Sequence, residues 1–429
     1  MKIRSIIVLL IVFAPNAFSQ VELYGLDGFN VTDLRFYGTT LYASTNGNGV
    51  FRRNLLDSEW TSLGLTGKNI RAIYPHQVGL SGFAVTAGIA PDFSAGDSTL
   101  VYYWSNDEWI DADSGMNHAL IQEIGSIDGM PGSDSSGILF AAGSEHVFRK
   151  TNEVWKEIQS GLTYTVIRVS PNHRVWVGGE IPAPSAYLAV SSDTGETWNS
   201  VDPGISGDNG CNSFAFNLTD SNTIYAGMEG TVTKTTNGGT VWEPTGPDNS
   251  TEYFYGLTID PSHPDHIYAG GIPEIDAFGL YESIDGATHW IHISPSPDMY
   301  TGITSLAVNP VDGNDLFIGT LGRGVYRYHS TLLDVREDHQ GISEFRLYQN
   351  YPNPFNPSTT IEYSIPKTQH VSLAVFDMIG REIARLVDGE MTAGRHTAEW
   401  KSVRIPSGMY FYRLQTEGGS ATKKLILLK

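Results

Sequence analysis

Trp60, Trp109, Trp155, Trp198, Trp242 and Trp290 recur at intervals of 49, 46, 43, 44 and 48 residues. The same four-part unit surrounds each of them. A first strand reads like Ile303-Thr304-Ser305-Leu306-Ala307-Val308, a second like Ile224-Tyr225-Ala226-Gly227 and a third like Gly324-Val325-Tyr326-Arg327. A fourth carries the tryptophan and often ends in Gly-Leu, as in Trp60-Thr61-Ser62-Leu63-Gly64-Leu65. A period near 45 residues with four short strands is the signature of a β-propeller blade. The 46 glycines and 21 tyrosines of the 429-residue chain fit an all-β protein.

Six tryptophans account for six blades, yet residues 303–328 hold three further strands and no fourth. The segment Val21-Glu22-Leu23-Tyr24-Gly25-Leu26 reads as the missing one. Paired beside residues 324–328 it would close a seventh blade and remove an exposed sheet edge. Seven blades are therefore expected, with six or eight as alternatives.

Between third and fourth strands lies a repeated turn. In Ser191-Ser192-Asp193-Thr194-Gly195-Glu196-Thr197-Trp198, Asp193 can bond backbone N–H groups ahead of it and Gly195 can take φ > 0. Thr197 and Trp198 then re-enter a strand, where burying the indole is worth at most about 4–6 kcal/mol. Thr235-Thr236-Asn237-Gly238-Gly239-Thr240-Val241-Trp242 keeps this chemistry. Ser283-Ile284-Asp285-Gly286-Ala287-Thr288-His289-Trp290 keeps Ser, Asp and Trp but moves the glycine. The octets resemble the Asp-box (S-x-D-x-G-x-T-W, the BNR repeat) of sialidase-like and sortilin-like propellers. That resemblance implies a structural turn on the face away from any active site.

The two ends of the chain differ from the middle. Lys2 and Arg4 precede a short apolar run, and Ala17-Phe18-Ser19 suits a cleavage site, so residues 1–19 read as a signal peptide. The run is too short to span a bilayer. Residues 330–344 are polar and read as a linker, which leaves 20–329 for the propeller. Residues 345–429 alternate as strands and predict a small Ig-like β-sandwich of about seven strands. This tail resembles the type A C-terminal sorting domain of type IX secretion cargo in Gram-negative bacteria. The residues that carry the likeness are Tyr351-Pro352-Asn353-Pro354-Phe355, Asp377 with Gly380-Arg381-Glu382, Ala393-Gly394 and Ser407-Gly408-Met409-Tyr410, with a Lys-rich end. The resemblance implies recognition by the type IX machinery and a secreted or outer-surface location, reached through the periplasm.

Charge follows the same division. Residues 21–329 carry 13 basic and 36 acidic side chains, residues 345–429 carry 11 and 7. An acidic body argues against nucleic acid and anionic membrane as partners and leaves an extracellular glycan or protein. The single cysteine, Cys211, excludes an intrachain disulfide and reads as a small buried residue.

Function is less legible. Long connections between second and third strands fall at 87–98, 178–186 and 270–279, opposite the Asp-box turns. They supply the candidate ligand-binding residues Asp92, Asp97, Glu180, Glu274 and Asp276. Xyloglucanase-like propellers would need two carboxylates about 5–5.5 or 6.5–9.5 Å apart, so a polysaccharide-acting hydrolase or lyase is the alternative to a non-enzymatic binding module. Sialidase chemistry needs three converging arginines. Arg35, Arg71 and Arg168 lie in first strands at different registers and are expected not to converge. No catalytic residue or cofactor is assigned. Ca²⁺ has candidate oxygen ligands at Asp312-Gly313-Asn314-Asp315 but no loop pattern, and His263-Pro264-Asp265-His266 is a poor zinc pair.

Overall fold

The computed structural model describes residues 21–429 except 79–81, 131–137, 181–185, 205–209, 248–251, 274–278, 294–300, 332–344, 349, 351–352, 354, 366, 379–380, 393, 403–404, 417–418 and 428–429. The expected signal peptide and most of the expected linker therefore lie outside the described residues. The chain divides into two compact units, Met1–Ser330 and Thr331–Lys429.

In the first unit the described residues form seven four-stranded antiparallel sheets, each a meander running from an inner to an outer strand. The inner strands are Val31–Tyr37, Ile70–Val78, Ser126–Gly129, Thr163–Val169, Cys211–Phe216, Glu252–Ile259 and Ile303–Val308. Each inner strand touches the next, and the last touches the first, so the sheets form a closed β-propeller ring. The seventh sheet takes its outer strand from the start of the chain. Val21–Gly25 pairs antiparallel with Val325–His329, with Val21 opposite Tyr328 and Leu23 opposite Tyr326.

Six of the seven inner strands carry a register shift at the same place, between Val31 and Asp33, Ile70 and Ala72, Tyr164 and Val166, Cys211 and Ser213, Tyr253 and Gly256, and Ile303 and Ser305. A bulge leaves one backbone N–H without a ladder partner and re-aims the side chains after it. Side chains of one inner strand then take N–H groups from the inner strand of the next sheet. Ser305 Oγ accepts the Leu34 N–H at 2.9 Å, and Asp33 Oδ2 accepts the Ile73 N–H at 3.2 Å. Ser126 Oγ accepts the Ile167 N–H at 3.1 Å. These bonds link neighbouring sheets side chain to backbone around the ring.

At the outer edge the tryptophans do related work. Each of four indoles donates to a carbonyl of the preceding sheet's outer edge: Trp60 to Tyr24 at 3.3 Å, Trp109 to Leu63 at 2.7 Å, Trp155 to Ala112 at 2.7 Å and Trp290 to Thr245 at 3.1 Å. Trp60 thus fastens the closing strand to the first sheet, and the Arg53 guanidinium lies 3.7 Å over the Tyr24 ring. Trp242 is 3 % exposed, whereas Trp198 is only half-buried. The Trp198 indole thus covers less apolar area than Trp155 and Trp242, which hold the same place in their sheets.

The second unit is a two-sheet sandwich. A three-stranded sheet orders Arg346–Leu347, Ser358–Ile365 and Gly394–Lys401. A four-stranded sheet orders Glu382–Met391, Gln369–Phe376, Gly408–Thr416 and Gly419–Leu427. Tyr363, Val371, Leu373, Tyr412, Leu414 and Leu425 fill the space between them.

Candidate functional site

The three repeated turns share one construction. Ser191 Oγ accepts the Gly195 N–H at 2.8 Å and donates to Asp193 Oδ1 at 2.7 Å; Asp193 Oδ1 in turn accepts the Thr197 N–H at 2.9 Å. Thr235 with Asn237 and Ser283 with Asp285 repeat it, binding the Gly239 and Val241 N–H and the Ala287 and His289 N–H. Two consecutive residues take positive φ in every copy: Thr194 and Gly195, Gly238 and Gly239, Gly286 and Ala287. Ala287 at φ 69° shows that the shifted glycine still serves the same turn. These bonds hold the Asp193 carboxyl down at about 2, chiefly through the Thr197 hydroxyl and N–H. Every strong acceptor here is bonded within the turn, so its chemistry is structural.

On the opposite strand ends the candidate acids divide. Asp92 accepts the Ser94 hydroxyl at 2.6 Å and the Ser94 and Ala95 N–H groups, capping the short turn Phe93–Ala95. Asp97 pairs with Lys68 Nζ at 2.7 Å. Both are thus engaged locally. Glu180 stays exposed at the end of Val175–Glu180 and raises the pKa of Tyr255 beside it, after burial as the main cause. Tyr255 is 40 % exposed and its ring stacks on Tyr253 at 6.3 Å. Glu274 and Asp276 lie outside the described residues.

Between the inner strands runs an axial cavity of about 600 Å³, lined among others by Asp33, Arg35, Asp128, Arg168 and Tyr255. The three arginines do not all converge, but two of them share this cavity. Arg35 and Arg168 line the same cavity, because each stands two residues past the one that follows the bulge. Arg71 is itself the bulged residue and instead pairs with Glu123 at 3.2 Å. Counting from apolar neighbours misses this; counting from the bulge finds it. The acids are anchored: Asp33 Oδ2 receives the Ile73 N–H and, at 3.3 Å, Arg35 Nε, while Asp128 Oδ2 receives the Val169 N–H at 2.8 Å.

A second group of buried charge lies where sheets six and seven meet. His266 is fully buried, with Nε2 2.7 Å from Glu282 Oε1 and Nδ1 3.6 Å from Asp260 Oδ2. Glu282 also accepts the Tyr328 hydroxyl at 2.7 Å and the Ser330 hydroxyl. His263 meets Asp260 at 2.9 Å. The two histidines of the His-Pro-Asp-His segment therefore converge on a carboxylate.

Asp312, Asp315 and His329 bring ligand atoms within 4.8 Å of one another. Arg327 already donates to both oxygens of Asp315, at 3.1 and 2.7 Å, and occupies with its own charge the place a cation would take. Cys211 is buried against Gly178, and burial pushes its thiol pKa up, which suits a packing role.

In the sandwich, Asn353 Oδ1 accepts the Ile426 N–H at 2.9 Å, and the Phe355 N–H donates to the Ile426 carbonyl at 2.9 Å. The Phe355 ring is buried 5.3 Å from Trp400. This part of the Tyr351–Phe355 motif thus clamps the final strand, while Gly408 opens the strand beside it. Tyr351, Pro352, Pro354 and Gly380 lie outside the described residues.

A ring of four-stranded sheets followed by such a sandwich defines a β-propeller protein with a C-terminal appendage. Residues 349–428 match the family model described as the secretion system C-terminal sorting domain. That tail implies recognition by the type IX secretion machinery and export to the cell surface or beyond. No curated protein matches the chain. Among solved structures it is similar to PorZ, an essential surface component of the type IX secretion system of Porphyromonas gingivalis, at 14% identity and a TM-score of 0.53, over 93% of this chain and 59% of that one. It is also similar to the GH74 xyloglucanase of Xanthomonas campestris, at 16% identity and 0.53, over 80% and 59%. The chain thus spans about 59% of the length of each. YCF48, solved bound to a D1 peptide, matches at 11% identity and 0.52, over 73% of this chain and 98% of that one. All three are β-propellers, and at these identities the likeness is one of fold. No helix among the described residues is long and apolar enough to cross a membrane.

Proposed function

We propose that the protein is a non-enzymatic binding module, secreted or held at the cell surface as type IX cargo, whose propeller recognises an extracellular glycan or protein. A signal peptide at 1–19 would take it to the periplasm and residues 345–429 across the outer membrane. The observation that carries this reading is the sorting domain joined to a propeller in which two of the three described loop acids are committed to structure. Asp92 caps a turn and Asp97 holds Lys68, while Glu180 remains exposed beside Tyr255, which lines the axial cavity. An exposed aromatic beside an acid suits a sugar ring or a peptide side chain. PorZ, a propeller described as a surface component, and YCF48, a propeller described with a bound peptide, support a binding role.

The test pairs a glycan array with a reducing-sugar assay on the same polysaccharides. Binding without sugar release, weakened by Glu180→Gln, is expected. Release of reducing ends would replace this reading with the hydrolase alternative. Deletion of 345–429 is expected to leave a folded propeller in the periplasm; recovery of that truncated protein outside the cell would overturn the export route.

A further inference from the structure

Among the described residues that line the axial cavity, the buried side-chain polar atom left without a hydrogen-bond partner is a donor. Both oxygens of Asp33 are bonded, Oδ1 to the Ser305 hydroxyl at 3.3 Å and Oδ2 to the Ile73 N–H and Arg35. Asp128 holds the Val169 N–H. The arginines are less well matched. Arg35 Nη2 is buried with no hydrogen-bond partner. Arg168 Nη1 donates at 2.8 Å to Ser126 Oγ and to the Ile167 carbonyl, and Arg168 meets no carboxylate within 4 Å among the described residues. Burial, aided by the nearby Arg35 charge, pulls the Arg168 pKa down to about 10. The guanidinium is being asked to stay charged where solvent is scarce and a like charge is close. An anion placed between the two would satisfy the idle donor and relieve that opposition.

The end of the cavity nearest these arginines is apolar. Phe36, Val169, Phe216, Ile259 and Val308 close the inner strands there, and Leu218 stands 62 % exposed at the rim. This mouth lies on the side of the Asp-box turns, away from Glu180 and Tyr255. Its ligand therefore needs two parts, a planar two-oxygen anion that matches a guanidinium fork and an apolar body behind it. Since Asp33 and Asp128 already balance two positive charges, a monoanion fits better than a phosphate dianion.

We propose that the axial channel binds a monocarboxylate borne on an apolar stem, its oxygens taken by Arg168 and Arg35 and its stem by the apolar mouth. This site is separate from the face assigned above to glycan or protein recognition and takes a different chemical class.

Calorimetric titration of the full chain with 3-phenylpropionate, and with 3-phenylpropionamide as the uncharged isostere, tests it. The acid is expected to bind at least tenfold more tightly than the amide, and Arg168→Gln to lose at least tenfold in affinity for the acid. Equal affinities for acid and amide, or absence of heat with the acid at millimolar concentration, would overturn the proposal without any variant. Undiminished binding by a folded Arg168→Gln would overturn it as well. Glu180→Gln is expected to leave this titration unchanged, so failure here and failure on the glycan array are told apart.

Discussion

The junction between sheets six and seven and the axial channel both bury charge, and they balance it differently. At the junction a single cation, His266, lies between two carboxylates, and the second of these also receives two hydroxyls. In the channel two carboxylates are fastened to backbone N–H groups of neighbouring sheets, Arg35 keeps a buried donor unused, and Arg168 has no carboxylate within 4 Å among the described residues. His266 Nδ1, 3.6 Å from Asp260 Oδ2, makes no hydrogen bond among the described residues, so the difference lies in charge. A buried cation with carboxylates close on both sides contributes to a unique fold, whereas one without a close carboxylate is available to a ligand. The first region should therefore answer to mutation in stability, the second in binding.

The largest effect is expected at the junction. Glu282→Gln keeps the shape but leaves His266 and the Tyr328 and Ser330 hydroxyls with a neutral partner, at a cost of about 3–5 kcal/mol in urea unfolding. A loss below about 1 kcal/mol would mean that the junction is no tighter than a surface pair.

The pH dependence comes next. Burial works to lower the His266 pKa, but the carboxylates of Asp260 and Glu282 outweigh it and raise the value above 6.5. The folded protein then holds this proton more firmly than the unfolded chain. The resulting stability is complete below about 6.5 and is lost as pH rises through the raised value. For Asp260, burial raises the pKa, yet His266, the Ser262 N–H and His263 bring it to about 2, from an unfolded 3.8. That contribution is complete above 3.8 and disappears as pH falls towards 2. Melting temperature should be highest between these limits, and His266→Gln should flatten its alkaline decline. A variant with the same alkaline slope would assign the decline to another group.

In the channel, Arg168→Gln is expected to change stability by less than about 2 kcal/mol, since two hydrogen bonds to neutral acceptors are lost and a like-charge contact with Arg35 is relieved. A larger loss would make the channel a second structural junction and erase the contrast. The smallest effect belongs to Asp97→Asn, which breaks a partly exposed pair with Lys68 and should cost about 0.2–1 kcal/mol by the same unfolding assay.

What the sequence revealed tracks how local the cause is. The tryptophan period, the turn at Asp193 and the closing segment at Val21 were readable because each depends on neighbours within a few residues or on a fixed repeat. The clamp made by Asn353 and Phe355 was legible only through its likeness to a sorting domain. That Arg35 and Arg168 share one cavity was not legible, because a single bulged residue changes which way every later side chain points. The bulge leaves a trace that could have been used: a small or polar residue (Asp33, Ser126, Ser213, Ser305) recurs just before an apolar one in the inner strands. The His266 junction left no such trace. Its partners come from two sheets, with Glu282 16 positions from His266 and Tyr328 a further 46 positions beyond Glu282.

The outer strand of the seventh sheet has a kinetic meaning. Its two halves are the first and last pieces of the propeller to be synthesised, so no partial chain can complete the ring. Until Val325–His329 has emerged, Val21–Gly25 has no strand to join, and Trp60 waits for the Tyr24 carbonyl it will bind. Bringing ends so far apart in sequence together carries the entropy of a very long loop, which makes this pairing a slow, late step. Every earlier state exposes at least one open sheet edge. Such a chain is vulnerable for as long as its ring is open, and the strand that ends this interval is made just before the tail that marks the protein for export.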